Sequence, residues 1–545
     1  MSERAKALIQ RRNTLALGRS TWLGHWEDLA SVMHPRRVGF ITAPTAGEQR
    51  NQNLYDGTPM QAARGLANAL AAMLRPDNQK WFFIKTATDR VDGEAKDWIA
   101  NTEERLRKEL DDPKVRFREA TGECDLDLAV FGTGVIYAGE SERLGKLLHI
   151  CVHLKDAVVI FGEVGDPEGI FITYMYPLRV ARDKFGEDKL SEVSRRKLAE
   201  ANPNLDEKIE CLHAVLPRKE GRVGALLSQN LPYADIWIEV AAQHELKVKG
   251  FNEFPFIVPR FDTSSGEDYG RSPGMIALPD ANTLQAMGET LLIAGQRAAD
   301  PPLLVPNDGT LDAPNVFPGG LAPYDVDIAK DIGRLPIAPL EGGRNMPLTR
   351  DMQQDMRSQV FNAFYKNILN LPVDGPQMTA EEIRARKEEL IREVGPVFGR
   401  QETGYSAPLI ERNFKVMLRA GAFDPIPEAL LGTSIRFEYE SPVKKIRQQI
   451  EVAITRAWVN EMVLLSREGG VPEAMDAVNF GEYATFAAEG TGVPMKLVNS
   501  PDVRAAKAAA RAQAQAEAQK MEASMATADA ASKVMKAMPQ PSAAA

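Results

Sequence analysis

Cysteine is scarce. The chain holds three in 545 residues, Cys124, Cys151 and Cys211, odd in number and far apart. That excludes a disulfide-stapled scaffold and suits a reducing cytoplasm. Long apolar runs are missing too: no stretch reaches the roughly 18 apolar residues of a spanning helix. The opening MSERAKALIQRR lacks the apolar core of a signal peptide. No membrane association is expected. Excess positive charge is also absent, since the net charge is −9. A protein that clamps nucleic acid by its phosphates is usually basic, because affinity comes largely from released counterions. The chain is therefore no ordinary DNA binder, although a conduit that lets DNA slide gains from mild repulsion. Catalytic signatures are lacking as well: G-x-S-x-G, HExxH, CxxC and a phosphate-binding loop do not occur.

What is present reads as a large soluble protein. Hydrophobic residues make up 44% and charged residues 26%, and 545 residues exceed what one compact core holds. Gly132-Thr133-Gly134 lacks the third glycine and the lysine of a phosphate loop, so a helix-to-strand turn is expected. His149-x-Cys151-x-His153 puts three metal-capable side chains on one strand face, and Cys211-x-His213 sits on another strand. Their spacing matches no usual zinc pattern, and core-strand alternation is the plainer reading. Asp125 and Asp127 lie two apart on a helix, pointing to different sides, which argues against a paired-carboxylate catalyst. Glu381, Glu382, Glu388 and Glu389, with Arg384, Arg386 and Lys387, read as a solvated or inter-subunit salt-bridge face. No catalytic residue, metal or cofactor is expected.

Periodicity predicts an α+β, mainly α, chain. Helices are expected at 3–33, from Thr58 as N-cap to Arg75, at 92–111 and at 114–131. Residues 146–260 change texture: short β-branched runs at Leu147–Leu154, Ala157–Phe161, Ile170–Tyr176, Ile209–Val215 and Ile236–Val240, with a helix near 179–201. Pro279-Asp280 then reads as the cap of a long helix ended by Asp300-Pro301-Pro302. Residues 301–346 are rich in proline and glycine and predict strands and turns. A helix opens at Pro347, Asn370–Met378 is a loop, and Thr379 with Glu382 makes a capping box for a charged helix to Val394. Another helix covers about 403–420. Ser441-Pro442 starts a helix stopped by Gly469-Gly470, and Ser500-Pro501 starts an Ala-rich tract to Met538. As one helix that tract spans roughly 55 Å. Its Ala and Met surface is too thin to fold alone and needs copies of itself.

Six phrases, in this order and spacing, carry a family resemblance: Tyr55-Asp56-Gly57-Thr58, Trp81-Phe82-Phe83, Phe131-Gly132-Thr133-Gly134, Tyr269-Gly270-Arg271-Ser272-Pro273-Gly274, Pro301-Pro302-Leu303-Leu304-Val305 and Gln377-Met378-Thr379-Ala380-Glu381. The chain resembles the portal (head-to-tail connector) proteins of short-tailed bacteriophages. The resemblance implies a portal-type fold in a ring of about twelve subunits. It implies a wing at 1–275 (β-rich at 146–260) and 380–440, stem helices at 276–300 and 347–369, a clip at 301–346, a channel loop at 370–379 and a crown at 441–545. Asn370, Asp374, Gln377 and Thr379 are then the DNA-facing candidates. Pro301, Pro302, Asp308, Tyr324, Arg334 and Arg344 are the candidates for docking an adaptor or motor. Implied partners are further copies of the chain, double-stranded DNA, the terminase motor, a tail adaptor, and capsid and scaffolding proteins. The implied setting is the virion, after assembly in the host cytoplasm. The alternatives are another ring-forming or coiled-coil assembly protein, or an enzyme with an unrecognised active site.

Overall fold

The computed structural model describes residues 2–491 and part of 499–525, apart from 43, 44, 46, 51, 53, 77–79, 87–92, 142–145, 164, 307–319, 325–337, 340–345, 367–379, 433, 434, 440 and 441. Two units divide the chain, Met1–Ser441 and Pro442–Ala545.

The first unit opens with α1 (Glu3–Gly18) and α2 (Ser20–Met33), where a single helix over 3–33 is expected from the apolar period. The break is at Arg19, whose buried guanidinium donates to the carbonyls of Leu154, Lys155 and Ala157. Satisfying those carbonyls from inside the core coincides with a one-residue break in the helix. Next comes α3 (Thr58–Leu74), which buries Ala62, Ala63, Leu66 and Leu70 at helical spacing. Its N-cap is Gly57 rather than Thr58, and the Asp56 carboxylate supplies the capping acceptor. Strand β1 (Phe82–Thr86) follows, then α4 (Gly93–Leu110) and α5 (Phe117–Phe131).

The β-rich part begins earlier than its expected start at 146. Strands β2 (Ile136–Ser141) and β3 (Lys146–Cys151) pair antiparallel. Then β4 (Ala157–Phe161), β5 (Pro167–Pro177), β6 (Lys208–Pro217), β7 (Tyr233–Glu239) and β8 (His244–Phe251) form an antiparallel meander in sequence order. The expected helix at 179–201 is two short ones, α6 (Leu178–Phe185) and α7 (Glu192–Leu198). Gly186, at φ 89°, separates them. Strand β7 is buried almost throughout because both faces are covered. On one face Ala5 of α1 joins Leu212, Ala214, Ile236 and Ile238. On the other, Leu178, Ala181 and Phe185 of α6 join Cys211, Trp237 and Leu246. Strand β9 (Phe256–Ile257) adds to β2.

Helix α8 (Pro273–Ala299) then starts at Ser272, not at Asp280. Ser272 Oγ accepts from Met275 N at 3.0 Å, Pro273 takes the first helical position, and Pro279 lies inside the helix on its exposed side. After α8 come β10 (Leu303–Pro306), β11 (Leu321–Tyr324) and β12 (Ala338–Pro339), a small sheet in the order β11-β10-β12. Helix α9 (Met346–Ala363) packs along α8. A turn at Phe364-Tyr365, where Tyr365 takes φ 58°, interrupts it before Lys366, and the expected last residues 367–369 lie outside the described residues. Helix α10 (Ala380–Gln401) passes through a π-helical turn at Glu402–Ser406 into α11 (Ala407–Arg419). Residues 380–440 are not helical throughout: β13 (Ile435–Tyr439) pairs antiparallel with β1, Phe82 opposite Tyr439. One contiguous core joins the segments before and after the long-helix pair, from Trp26 and Leu66 to Val360, Phe398 and Tyr405.

In the second unit α12 (Pro442–Arg467) ends before Gly469-Gly470, with Gly470 at φ 68°, and α13 (Phe480–Thr491) folds back on it. The described pieces of 503–521 are helical. The molecule is mixed helix and sheet, mostly helical. No helix of the described residues is long and apolar enough to cross a membrane.

Candidate functional site: the base of the long-helix pair

Two glycine-bearing segments decide where α8 begins. Gly132 ends α5 at φ 75°, a conformation few side chains adopt. A methyl group there would overlap the Gly270 backbone, and one on Gly270 would overlap the Gly132 carbonyl. Thr133 Oγ1 accepts from Gly270 N at 2.8 Å, and Gly132 O accepts from Phe261 N at 2.8 Å. Ser272 Oγ donates to Val130 O at 2.6 Å. A methyl on Gly274 would stand 2.9 Å from that same Val130 carbonyl. The Phe131–Gly134 and Tyr269–Gly274 phrases are therefore one junction, backbone on backbone. Gly132-Thr133-Gly134 is the turn expected of it, and the N–H groups of its two glycines donate to the Leu128 and Pro259 carbonyls.

A second joint lies further along α8. The N–H groups of Tyr55 and Asp56 donate to Gln285 Oε1 at 2.8 and 3.0 Å, and Gln285 Nε2 returns a bond to Asp56 O at 2.7 Å. The Asp56 carboxylate accepts from Thr58 N at 2.8 Å through one oxygen. Through the other it accepts from Arg357 Nε and Nη2 at 2.9 and 2.8 Å. Asp56 thus caps α3 while tying α8, through its backbone, to α9. Burial acts to raise its pKa, but the bonds from Thr58 and Arg357 outweigh this and hold it below the ordinary carboxylate value. Gly288 lets Tyr55 approach: a methyl there would lie 2.9 Å from Tyr55 Cβ. Beyond the joint α8 has no buried residue, and Leu292 and Ile293 are 52% and 40% exposed.

Below the base, the core carries charge. Asp125 pairs with Arg75 and Asp127 with Arg37 at 3.3 Å. They diverge as residues two apart on a helix must. Burial pushes the Asp127 carboxyl up to about 6 against the pull of Arg37. His149, Cys151 and His153 do not converge. His149 is bonded to Asn413 and Val115, Cys151 to Asp127, and His153 to the Arg37 carbonyl. His213, on the separate five-stranded sheet, is bonded to Asp235 and stacked on Trp237. Among the described residues no cluster of three or more His, Cys, Asp or Glu is placed to hold a metal ion.

Of the sequence-selected residues, Asn370, Asp374, Gln377 and Thr379 lie outside the described residues, as do Asp308, Arg334 and Arg344. Pro302 is buried and Pro301 half-buried at the foot of β10, where Leu303 N donates to Gly320 O at 2.9 Å. Tyr324 closes β11 opposite Pro306. Gln285 and Arg357 escaped the sequence reading. Asp56 was within reach, since an Asp two residues before a helix-starting Thr signals an Asx turn. The two partners needed the fold.

The chain matches the family described as "Bacteriophage head to tail connecting protein" over residues 5–498, and it belongs to that family. The family is structural and non-enzymatic. Two curated relatives are similar over most of their length. A "Probable portal protein" of Bordetella phage BPP-1 is 26% identical, covering 90% of this chain and 88% of the relative. A "Portal protein" of Salmonella phage epsilon15 is 25% identical, covering 90% and 87%. Among solved structures, a chain of the virion of a native gene transfer agent particle is 12% identical. It covers 83% of this chain and 95% of that one, at a TM-score of 0.38.

Proposed function

We propose that this chain is a portal subunit at the head–tail connection. About twelve copies form a ring whose axial channel passes DNA during packaging and ejection. The single observation that carries the reading is the clamped pair α8 and α9, tied at the base by Asp56, with a sheet-forming insert between them. Membership of the connector family and the printed names of the two relatives support it. The long helices are the stem, 301–346 the clip, 370–379 the channel loop, 1–275 with 380–440 the wing, and 441–545 the crown. The apolar side chains left uncovered on α8 are the surface between neighbouring stems. The ring docks the terminase motor and later the tail adaptor through the insert, with Pro301, Pro302, Asp308, Tyr324, Arg334 and Arg344 as contact candidates. Capsid and scaffolding proteins meet the rest, and assembly takes place in the host cytoplasm. At −9 per chain, the ring carries on the order of a hundred negative charges, so DNA slides rather than sticks.

Native mass spectrometry of the full chain tests this, with cryo-EM of the same sample. A ring near twelve with an open axis is expected; a stable monomer or dimer at micromolar concentration under assembly conditions would falsify it. Asp374→Lys tests the channel loop. Assembly should survive, while packaging or retention fails because a ring of new cations grips phosphate. Normal filling and retention at low salt, where added attraction is strongest, removes Asn370, Asp374, Gln377 and Thr379 from the channel.

A further inference from the structure

A cleft of about 250 Å³ opens where the C-terminal ends of α3 and α4 meet the start of α5. Its floor is apolar. Leu110, Phe117 and Trp81 line it, with the Trp81 and Phe117 rings stacked at 6.4 Å between centroids and 20° between planes. Its polar lining is mostly cationic: Arg75, Arg107 and Arg118, with one carboxylate, Asp111. An adjoining recess shares Trp81 and Arg107 and adds Lys80 and Glu103.

Three of the four cations are matched. Arg75 pairs with the buried Asp125, Arg118 with Asp111 at 2.9 Å, and Lys80 with Glu103 at 3.5 Å. Arg107 has neither a hydrogen bond nor an ion pair among the described residues. One further donor is unsatisfied beside it: the buried Nη1 of Arg75 finds no acceptor among the described residues. Unmatched buried donors are rare in folded proteins and call for a partner. Among the described residues Arg107 feels Glu103 and Glu104 only at a distance, and one guanidinium without an ion pair at an apolar-floored cleft matches one negative charge on an apolar body.

We propose that this cleft binds a monocarboxylate carried on an apolar or aromatic group. A planar carboxylate suits the fork of Arg107, and the body lies against Trp81 and Phe117. A dianionic phosphate exceeds the charge available, and the concave shape admits a protruding group rather than a duplex. The carboxylate comes either from a small molecule or from the C-terminus of a protein chain; both present the same chemistry.

Calorimetry on the full chain tests this with four probes: 3-phenylpropionate, its amide, and a pentapeptide ending in Phe as free acid or amide. For ligands of this size an affinity on the order of millimolar is expected. Both acids, or either one, should bind saturably at one per chain, and the amides should not. A response to the peptide alone identifies a chain terminus as the source, and a response to the small acid alone identifies a metabolite. Arg107→Gln, at a half-exposed position, should leave the melting temperature unchanged and weaken binding about tenfold. Failure of both acids at tens of millimolar, equal binding of the amides, indifference to Arg107→Gln, or tighter binding of inorganic phosphate would each overturn the proposal.

Discussion

The two halves of α8 rest on different physics. From Pro273 to Leu284 the helix buries Gly274, Ala277, Leu278, Ala281 and Leu284 against the core, and its start is fixed by the Gly132–Gly270 junction. From Gln285 onward it is tied to Tyr55 and Asp56 by the side chains of Gln285 and Glu289 and buries nothing more. One chain is enough to complete the first half. The second half presents Leu292 and Ile293 to solvent within a single chain, as a helix face does when its cover belongs to another molecule. The Pro442–Ala545 unit repeats the second pattern. Among its described residues the buried ones are few and small, among them Val452, Val459, Val478 and Ala488, while Ile454, Trp458, Leu464 and Leu465 stay exposed. Few large side chains among the described residues leave water there, so they contribute little against the entropy of ordering the segment.

The comparison breaks most sharply at the junction. Gly132→Val puts a branched side chain at φ 75° and into the Gly270 backbone. We expect a loss of about 4 kcal/mol or more, read as failure to give a soluble folded chain. Normal yield and urea midpoint would show that the junction does not set the base. Next in size is Asp125→Ala, which leaves the Arg75 guanidinium buried without its carboxylate. A cost of about 3–5 kcal/mol is expected from chemical denaturation; a change below about 1 kcal/mol would mean that water already reaches Arg75.

Asp56→Ala removes an α3 cap and the α9 tether together. About 2 kcal/mol is expected, with faster amide exchange in α9 around Arg357 than in α5. Uniform exchange changes would mean that Asp56 does not join the helices. Leu292→Ser, in the outer half of α8, should shift the chain's own unfolding by less than about 0.5 kcal/mol yet impair assembly. Native mass spectrometry reads the second effect. An unaltered ring would mean that the outer half is not covered by a neighbour.

Acid separates the base further. Burial holds His34 and His149 at about 4 and His153 at about 3, below the ordinary 6.5. The unfolded chain therefore binds more protons between pH 6.5 and 4, and stability falls as pH drops through that window. Asp127, raised to about 6, opposes part of this, since its proton is favoured in the folded chain. Asp56, with its pKa lowered, keeps its stabilising role down to the ordinary carboxylate range and loses it below. Denaturation midpoints at pH 7.5 and 5 should show the decline, and His149→Gln should flatten it. An equal slope in the variant would remove His149 from the account.

Much of the helix plan was legible from period and punctuation. α3, α4 and α5 begin and end within a few residues of where spacing places them, because their buried stripes and caps are local. The five-stranded meander was legible except for β8, whose Lys247 and Lys249 dilute the apolar signal. Arg19 was opaque: nothing nearby says that its guanidinium must serve three carbonyls more than 130 residues away. Pro279-Asp280 outshone Ser272-Pro273 as a start signal, although both are proper ones. The choice belonged to Ser272's bond to Val130 and to the fit of Gly274 against it.

By itself, the order of residues determined what each segment is able to be. Periodicity, prolines and capping residues act over a few residues, so the described helices and strands follow from them. The tertiary structure decided what the marked phrases are for. Tyr55–Thr58, Phe131–Gly134 and Tyr269–Gly274 are places where distant backbones touch, and a distance between residues 56 and 357 or 132 and 270 has no local signature. It also decided which apolar residues stay uncovered, because burial is a property of neighbours in space and the covering atoms need not belong to the same chain.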